Sequence, residues 1–361
     1  MVSAENIEST VLASLKGTPY DISSLVKLTG GTANFVYRGS LVKPLDDGSQ
    51  TIVIKHTEGY VANSPDFKLT VERCAFEQKI LAPLQQLDPT EHSNITVTTP
   101  KLYHFSSTTN TQIYSDLPSS TTLKLFCLTH PLSREQCSRI GETLGIWARN
   151  FHDWGARPEQ ASLRAEMRKS KTMTELKYTI NYVTLVATVD NFPSILQESK
   201  PVFEEIASDV KGSMDAGEGM LIHGDFWTGN ILLPDAPIPS KNAPLKLYVI
   251  DWELSHISSI AFDLGQMFAE IYELKHFKDI DAGIWLIESF MKGYGKLDDS
   301  LAFKTAIHVG THLICWGSRV SEWGSKEQVE AVVSIGRDFV VRAWNKDKQW
   351  FQNTALKCLF D

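Results

Sequence analysis

The alternation of hydrophobic and polar positions predicts strands and one helix in the N-terminal part of the chain. Residues 25–38 alternate on both sides of a glycine pair, which predicts two strands joined by a glycine turn. Residues 51–55 have the composition of a third strand, after a turn-forming Asp-Asp-Gly segment. Apolar residues then recur at helical spacing over 71–81, and Pro83 is expected to mark the end of that helix.

The C-terminal part is mostly patterned as helix, interrupted by short apolar runs. Residues 139–153 place their large apolar side chains on one helical stripe, which predicts core packing. Apolar residues flank the segment 223–230, and residues 246–250 are rich in strand formers. The prolines between these runs predict a surface connection, because proline cannot donate to a central ladder. The last hundred residues return to a helical pattern that is rich in tryptophan.

Composition restricts the class of protein. The chain has 361 residues, 42% of them hydrophobic and 22% charged, which is ordinary for an enzyme with two lobes. A net charge of -8 without any basic cluster argues against a nucleic-acid surface. The absence of a long apolar stretch or a signal-peptide pattern predicts a cytoplasmic protein that does not bind membranes. Five cysteines without CxxC spacing indicate neither disulfides nor a zinc site.

The strongest chemical pattern is Leu221-Ile-His-Gly-Asp-Phe-Trp-Thr-Gly-Asn230, followed by Tyr248-Val-Ile-Asp-Trp-Glu253. An Asp followed five residues later by an Asn, with a second Asp after a later apolar run, is typical of a phosphoryl-transfer site. Asp225 would accept the hydrogen bond of an attacking hydroxyl, and Asn230 and Asp251 would bind Mg²⁺ on the phosphates of ATP. Each segment alone could be an ordinary turn, but the pair in this order favours a kinase.

The N-terminal strands supply matching candidates for the nucleotide. The backbone of Gly30, Gly31 and Asn34 would lie over the phosphates, where a side chain would obstruct close approach. Lys55, at the end of the third strand, matches the lysine that contacts the phosphates in protein kinases.

An acid on the following helix is expected to hold Lys55 in place. Glu77 is the preferred partner, and Glu72 is the alternative. A short strand ending in a turn then offers a hinge whose backbone would meet the adenine edge, although a simple linker would have nearly the same sequence. The hinge residues are Ser115, Asp116 and Leu117.

Several further residues have two interpretations each. Glu253 would assist the metal or face the substrate, or it is an exposed rim acid. Asp263 would hydrogen-bond the predicted catalytic loop, residues 223–230, or cap the following helix, and both could hold at once. His152 is expected to be a helix-terminus histidine rather than a ligand. A substrate wall for a ring or a cationic amine is predicted on one helical face, with core packing as the competing interpretation. Its members are His312, Trp316, Arg319, Glu322 and Trp323.

In these residues, the chain resembles the aminoglycoside phosphotransferase and choline kinase fold family. Within that family it is most similar to the 5-methylthioribose kinase-like enzymes, and especially to the fungal 4-hydroxytryptamine kinase branch. The matching stretches include Val71-Glu-Arg73, Trp227-x-Gly-Asn-Ile-Leu-Leu233, Ile250-Asp-Trp-Glu-Leu254, Asp263-Leu-Gly265 and Trp323-Gly-Ser325. The resemblance implies that Asp225 is the catalytic base, that Asn230 and Asp251 bind metal, and that Lys55 contacts phosphate.

The expected fold is therefore an α+β, two-lobed, protein-kinase-like fold. A nucleotide-binding lobe over residues 1–116 would have an antiparallel sheet and one helix, and a larger, mainly helical lobe over residues 117–361 would bind the substrate. The expected reaction uses ATP and Mg²⁺ to phosphorylate a hydroxyl of a small aromatic or amine-bearing alcohol similar to 4-hydroxytryptamine. A kinase for 5-methylthioribose, another sugar or choline is the alternative. An antibiotic-modifying phosphotransferase and a non-catalytic kinase-like binding module are also considered, but the complete set of catalytic and metal-binding residues argues against the module.

Overall fold

The structure is a computed structural model that describes residues 4–238, 242–319 and 323–361. The chain forms two compact units. Unit 1 comprises Met1–Gln86 and Thr99–Ser119, and unit 2 comprises Leu87–Thr98 and Ser120–Asp361. The predicted boundary after residue 116 lies close to the end of unit 1.

The strands are short and distributed over both units. In chain order they are β1 (Ile22–Lys27), β2 (Phe35–Leu41), β3 (Thr51–His56), β4 (Tyr60–Val61), β5 (Ser64–Lys68), β6 (Thr90–His92), β7 (Ile95–Thr98), β8 (Leu102–Ser106), β9 (Thr111–Ser115), β10 (Ser120–Thr122), β11 (Met220–Ile222), β12 (Ile231–Pro234), β13 (Leu245–Val249) and β14 (His256–Ser258).

The helices lie mostly in unit 2. They are α1 (Ala4–Leu15), α2 (Glu72–Leu84), α3 (Leu123–Thr129), α4 (Arg134–Ala156), α5 (Ala161–Met167), α6 (Lys171–Tyr178), α7 (Thr184–Thr188), α8 (Pro193–Leu196), α9 (Lys200–Asp215), α10 (Ala261–Lys278), α11 (Ala282–Tyr294), α12 (Asp299–His312), α13 (Lys326–Trp344) and α14 (Lys348–Phe351). Two π-helical turns, Thr179–Val183 and Leu313–Gly317, directly follow α6 and α12. Among the described residues, no helix has the length and apolar content needed to cross a membrane.

Unit 1 is built on an antiparallel sheet with the strand order β1-β2-β3-β9-β8. The predicted glycine hairpin is present as the pair β1 and β2. Alternation along β3 buries Ile52 and Ile54, which join one hydrophobic cluster with Ile7 and Val11 of α1. The described residues of unit 1 therefore form two helices rather than the predicted one, because the apolar stripe of α1 packs into the core of this unit. The second helix, α2, ends one residue beyond Pro83.

Unit 2 combines a small sheet with a helical body. Its main sheet has the order β10-β12-β13-β7-β6, in which β7 pairs in parallel with β13. This pairing explains why residues 87–98 belong to unit 2, although they precede the predicted boundary. Helix α4 lies so close to α11 that a Cβ atom at Gly145 would be 2.1 Å from the carbonyl oxygen of Phe290. All five cysteines are free thiols.

Candidate active site

Asp225 lies in the loop between β11 and β12, and both of its carboxylate oxygens accept hydrogen bonds from side-chain amides. Asn230 Nδ2 donates to Oδ2 at 2.9 Å, and Gln266 Nε2 donates to Oδ1 at 2.7 Å. An aspartate carboxylate turns readily about its last torsion, since that torsion has no sharp staggered wells. The two amides fix this rotation, so the carboxylate is held in one orientation before any substrate binds.

The backbone of the same loop is held by Asp263. Its two carboxylate oxygens accept the N–H groups of His223, at 2.8 Å, and Gly224, at 2.9 Å. The predicted loop contact is therefore confirmed. The capping interpretation is wrong, because α10 begins at Ala261, two residues earlier, and the residue before it provides no side-chain cap.

Gly224 is required by the shape of this loop. Its φ of +82° lies in the left-handed region, and an added Cβ would be 2.1 Å from the carbonyl oxygen of Leu254. A side chain at this position would push the catalytic loop away from the segment that follows Asp251.

His152 contacts the carboxylate of Asp263. Its Nε2 lies 3.1 Å from Asp263 Oδ2 and its Nδ1 lies 2.9 Å from the hydroxyl of Tyr294. Burial acts to raise the pKa of Asp263, but the interactions with His152 and His223 together outweigh burial, and the pKa is lowered. The prediction of a helix-terminus histidine is wrong, because α4 continues past His152 to Ala156 and buries the imidazole.

His223 connects the catalytic loop to the second aspartate. Its Nε2 donates to the carbonyl oxygen of Ile250 at 3.0 Å, and its Nδ1 accepts the N–H of Asp225 at 3.2 Å. Burial lowers the pKa of His223 despite the nearby charge of Asp263, so the neutral ring that these two bonds require is favoured. The ring packs against Trp252, with centroids 4.3 Å apart.

Asn230 and Asp251 have the donor chemistry that Mg²⁺ requires. Asn230 Nδ2 donates to the backbone oxygen and the carboxylate of Asp225, which directs the amide oxygen Oδ1 elsewhere. Asp251 follows β13 with φ +66°, a conformation that Asp tolerates better than most residues. Within the described ranges, no group of three His, Cys, Asp or Glu side chains could hold a metal ion. This limited set fits Mg²⁺, which is usually bound by one or two carboxylates together with substrate phosphates.

Glu253 is buried, with 7% of its surface exposed, so the interpretation as an exposed rim acid is wrong. The preceding Trp252 is a core residue whose ring contacts Phe151 at a centroid distance of 5.0 Å. A role of Glu253 toward metal or substrate stays a prediction.

In unit 1, Lys55 forms the predicted ion pair with Glu77. Lys55 Nζ lies 2.9 Å from each carboxylate oxygen of Glu77, and both side chains are buried. Glu72, the alternative partner, is exposed at the start of α2. The sequence had not indicated that Arg73 would be fully buried and would donate to several backbone carbonyls of this unit.

The predicted nucleotide-binding residues in the turn and the hinge have partners within unit 1. Asn34 Oδ1 accepts hydrogen bonds from Thr57 and Arg73, each at 3.0 Å. Gly30 has a φ of +108°, which suits the turn that it forms with Gly31. Their contacts with ATP stay predictions.

In the predicted hinge, the backbone N–H of Ser115 donates to the carbonyl oxygen of Lys101 at 2.9 Å. The carboxylate of Asp116 pairs with Arg38 through hydrogen bonds of 2.7 and 3.0 Å. The contact of Ser115, Asp116 and Leu117 with adenine also stays a prediction.

The predicted substrate wall is only partly assembled. His312 and Trp316 stack at a centroid distance of 6.2 Å, and Trp316 is 36% exposed. Trp316 and Trp323 do not share a helical face, because α12 ends at His312 and passes into a π-helical turn. Arg319 is exposed, and none of the contacts within the described part of the chain brings its side chain to the others. Glu322 lies outside the described residues.

Lys124 and Glu270, which the sequence did not indicate, complete this wall. Lys124 Nζ lies 2.7 Å from Glu270 Oε2, 4.2 Å from the ring centroid of Trp323 and 5.0 Å from that of Trp227. His312 Nε2 lies 3.0 Å from the other oxygen of Glu270. We call these five residues, with two neighbours, the Lys124–Glu270 cluster. Its members are Lys124, Trp227, Glu270, Glu273, His312, Trp316 and Trp323.

The pKa values of the two glutamates of the cluster are shifted in opposite directions. Burial acts to raise the pKa of Glu270, but the hydrogen bond from His312 and the charges of His312 and Lys124 lower it. Burial, and then the charge of Glu270, raise the pKa of Glu273 well above its ordinary value. Glu273 Oε1 and His312 Nδ1 are buried and have no hydrogen-bond partner among the described residues.

The two glutamates of the cluster belong to a polar stripe on α10, which could have been predicted from the sequence. Asp263, Gln266, Glu270 and Glu273 recur in steps of three and four, which places them on one face of the helix. Their neighbours in sequence are almost all apolar and buried. A polar stripe in such a helix indicates functional polar groups, because burying them is costly unless they are paired.

The chain is similar in sequence to known phosphotransferases. The profile of the phosphotransferase enzyme family matches residues 42–299. A phosphotransferase, FrzJ, from Cladobotryum sp is 28% identical, over 99% of this chain and 97% of its own. A 4-hydroxytryptamine kinase from Psilocybe cyanescens is 24% identical, over 91% of this chain and 90% of its own.

Two solved structures share the fold. A GDP complex of an aminoglycoside 2'-phosphotransferase IIIa mutant has a TM-score of 0.52 at 16% identity, covering 97% of this chain and 99% of its own. A glucosamine kinase has a TM-score of 0.50 at 14% identity, covering 97% of this chain and 88% of its own. The predicted protein-kinase-like fold and the resemblance stated above are confirmed. Since the family profile spans more than half of the sequence, the chain belongs to the phosphotransferase enzyme family.

Proposed function

We propose that this protein transfers the γ-phosphoryl group of ATP to a hydroxyl of a small, amine-bearing and aromatic alcohol. The proposal rests on one observation, namely that Asn230 and Gln266 each donate a hydrogen bond to the Asp225 carboxylate. A carboxylate fixed in this way is suited to orient a hydroxyl and to accept its proton. The Asp225 side chain is partly exposed, so an acceptor can reach it.

In the proposed reaction, the acceptor oxygen forms a bond to the γ-phosphorus as the bond to the bridging oxygen of ADP breaks. Asp225 accepts the hydrogen bond of the hydroxyl and then its proton. Lys55, held by Glu77, contributes positive charge to the phosphates of ATP. Asn230 Oδ1 and the Asp251 carboxylate would hold Mg²⁺, which supplies neutralisation of the phosphate charge when bound.

The Lys124–Glu270 cluster supports an acceptor that carries an amine. The ammonium group of Lys124 lies over two tryptophan rings and against a carboxylate, so this wall has the chemistry that accommodates an ammonium ion. Trp227 connects the wall to the catalytic loop, because it follows Asp225 by two residues. The relatives named 4-hydroxytryptamine kinase favour an indole amine as the first acceptor to test.

The experiment incubates the protein with ATP, Mg²⁺ and, separately, 4-hydroxytryptamine, 5-methylthioribose and choline. We expect phosphate transfer to 4-hydroxytryptamine in the presence of Mg²⁺, and none when the metal is removed by a chelator. Thermal melting of the same mixtures separates an enzyme from a binding module, since a module is stabilised by its ligand without transfer. Stabilisation by ATP without transfer to any of these acceptors or to water would contradict the proposed function.

A further inference from the structure

Lys177 is a buried ammonium group that the proposed reaction does not use. It is in the last turn of α6, and 2% of its surface is exposed. Burial lowers the pKa of Lys177, and the charges of Asp225 and Asp263 oppose that shift. Burying an ammonium group is costly, and an apolar side chain of similar length would pack there without that cost. Packing alone therefore does not explain a lysine at this position.

The hydrogen bond of Lys177 leads to the catalytic carboxylate through one intermediate. Lys177 Nζ donates to Gln266 Oε1 at 2.6 Å, and Gln266 Nε2 donates to Asp225 Oδ1 at 2.7 Å. The three groups thus form a chain that ends on the proposed catalytic base.

The order of donors and acceptors in this chain has one solution. An ammonium group can only donate and an ionised carboxylate can only accept, so the amide oxygen of Gln266 must face Lys177 and its nitrogen must face Asp225. Without Lys177, the buried amide oxygen of Gln266 would lose its donor, and only the bond to Asp225 would still set the orientation of the amide. The Asp225 carboxylate would then be held less firmly.

We propose that Lys177 and Gln266 are positioning residues for the phosphoryl transfer, with Lys177 acting through the amide of Gln266. The inference rests on the proposed function, because it takes Asp225 as the base. It adds two residues, from α6 and α10, whose task is to hold the Asp225 carboxylate at the angle that the acceptor hydroxyl requires.

A local feature of the backbone accompanies this arrangement. A π-helical turn, Thr179–Val183, begins two residues after Lys177, and Asn181 Nδ2 in that turn donates to the carbonyl oxygen of Lys177 at 2.9 Å. Such turns are rare and occur frequently at functional sites. This one fixes the end of α6 from which Lys177 reaches Gln266.

The experiment is a double-mutant cycle with Lys177→Met and Gln266→Met, using ATP, Mg²⁺ and 4-hydroxytryptamine, or phosphate release to water if that amine is not accepted. Each single variant is expected to lower kcat by about ten- to a hundred-fold, the range for a lost hydrogen bond to a charged group, with the KM for ATP unchanged. The double variant is expected to be no slower than Gln266→Met alone, because Lys177 acts through the amide. Tyr182→Phe is the matched control, since it removes a buried hydrogen bond to His308 in the same region without changing the hydrogen bonds that link Lys177, Gln266 and Asp225.

Additive losses in the cycle would overturn the inference, because they would mean that Lys177 acts on Asp225 directly. Wild-type kcat in the single variants would overturn it while leaving the proposed function intact, provided that the wild-type protein transfers phosphate. If Lys177→Met does not fold, Gln266→Glu serves instead, because it conserves volume and a partner for Lys177 but removes the donor to Asp225. The same loss of kcat is expected, and unchanged kcat would again overturn the inference.

Discussion

The catalytic loop and the Lys124–Glu270 cluster lie side by side in unit 2, yet their carboxylates are satisfied to different degrees. In the loop, Asp225 and Asp263 use both carboxylate oxygens in hydrogen bonds to the protein. In the cluster, Glu273 and His312 each keep a buried polar atom that lacks a partner in the described chain. Because an unsatisfied buried polar atom is costly, the fully bonded carboxylates of Asp225 and Asp263 indicate an arrangement that is complete by itself. The carboxylate of Glu273, in contrast, has the unmet hydrogen-bonding capacity expected where a ligand binds.

This difference corresponds to the two tasks of a kinase, which are phosphoryl transfer and recognition of the acceptor. The phosphoryl-transfer chemistry is the same for every acceptor, so the groups that perform it can be fixed in advance. The acceptor differs between members of a family, and the groups that recognise it must complete their bonds with that molecule. Variants in the loop should therefore affect turnover and stability, whereas variants in the cluster should affect the KM for the acceptor.

The largest effect is expected for Asp263→Ala. This change leaves the buried N–H groups of His223 and Gly224 without their acceptor and removes the partner of His152. We expect a loss of about 3–5 kcal/mol in the free energy of unfolding, the range for breaking a buried charged contact. Chemical denaturation measures the stability, and turnover is expected to be lost as well. Asp299→Ala, at an exposed acid on α12, is the control, and equal stability of the two variants would show that the loop does not depend on Asp263.

The next effect concerns Glu270→Gln, which removes a carboxylate from the cluster. We expect the KM for an amine-bearing acceptor to rise by about ten- to a hundred-fold, since a hydrogen bond to a charged group contributes about 1.5–3 kcal/mol. The KM for ATP should not change. Initial rates at varied concentrations of each substrate provide the measurement, with the exposed Glu330→Gln as the control. A rise in the KM for ATP of the same size would contradict the assignment of this cluster to the acceptor.

A smaller effect on the free energy of unfolding is expected when the pH is lowered, and it concerns His256 beside the catalytic loop. Burial lowers the pKa of His256, which packs beside Gly224, from 6.5 to about 4. The unfolded chain therefore binds a proton more readily than the folded protein between these values, so this histidine destabilises the folded state as the pH falls through 6.5 toward 4. From pH 7 to pH 5 the free energy of unfolding should fall by about 2 kcal/mol through His256. Urea unfolding of wild type and His256→Gln at both pH values measures the difference, and an equal fall in both proteins would contradict it.

The sequence predicted those parts of the site whose residues lie close together along the chain. Asp225, Asn230 and Asp251 belong to two neighbouring segments, and Lys55 and Glu77 of unit 1 are only 22 positions apart. The order of residue types along a short stretch is enough to indicate such groups. The hairpin of β1 and β2 was predicted for the same reason, since a local turn sets its register.

Residues that reach the site from distant helices could not be predicted in this way. Lys177 meets Gln266 from 89 positions away, and Lys124 meets Glu270 from 146 positions away. A lysine on an amphipathic helix is usually solvated, so neither lysine differs in sequence from an exposed one. The break between Trp316 and Trp323 was missed because a π-helical turn leaves no clear pattern in the sequence.

The most direct test of the central claim is the turnover of Asp225→Asn, measured together with its affinity for ATP. We expect turnover to fall by about a hundred- to ten-thousand-fold, the usual contribution of a positioned base, while the affinity for ATP is retained. Asp235→Asn, at an exposed position just after β12, is the matched control. Turnover of Asp225→Asn equal to that of the control would contradict the claim that Asp225 orients the acceptor hydroxyl.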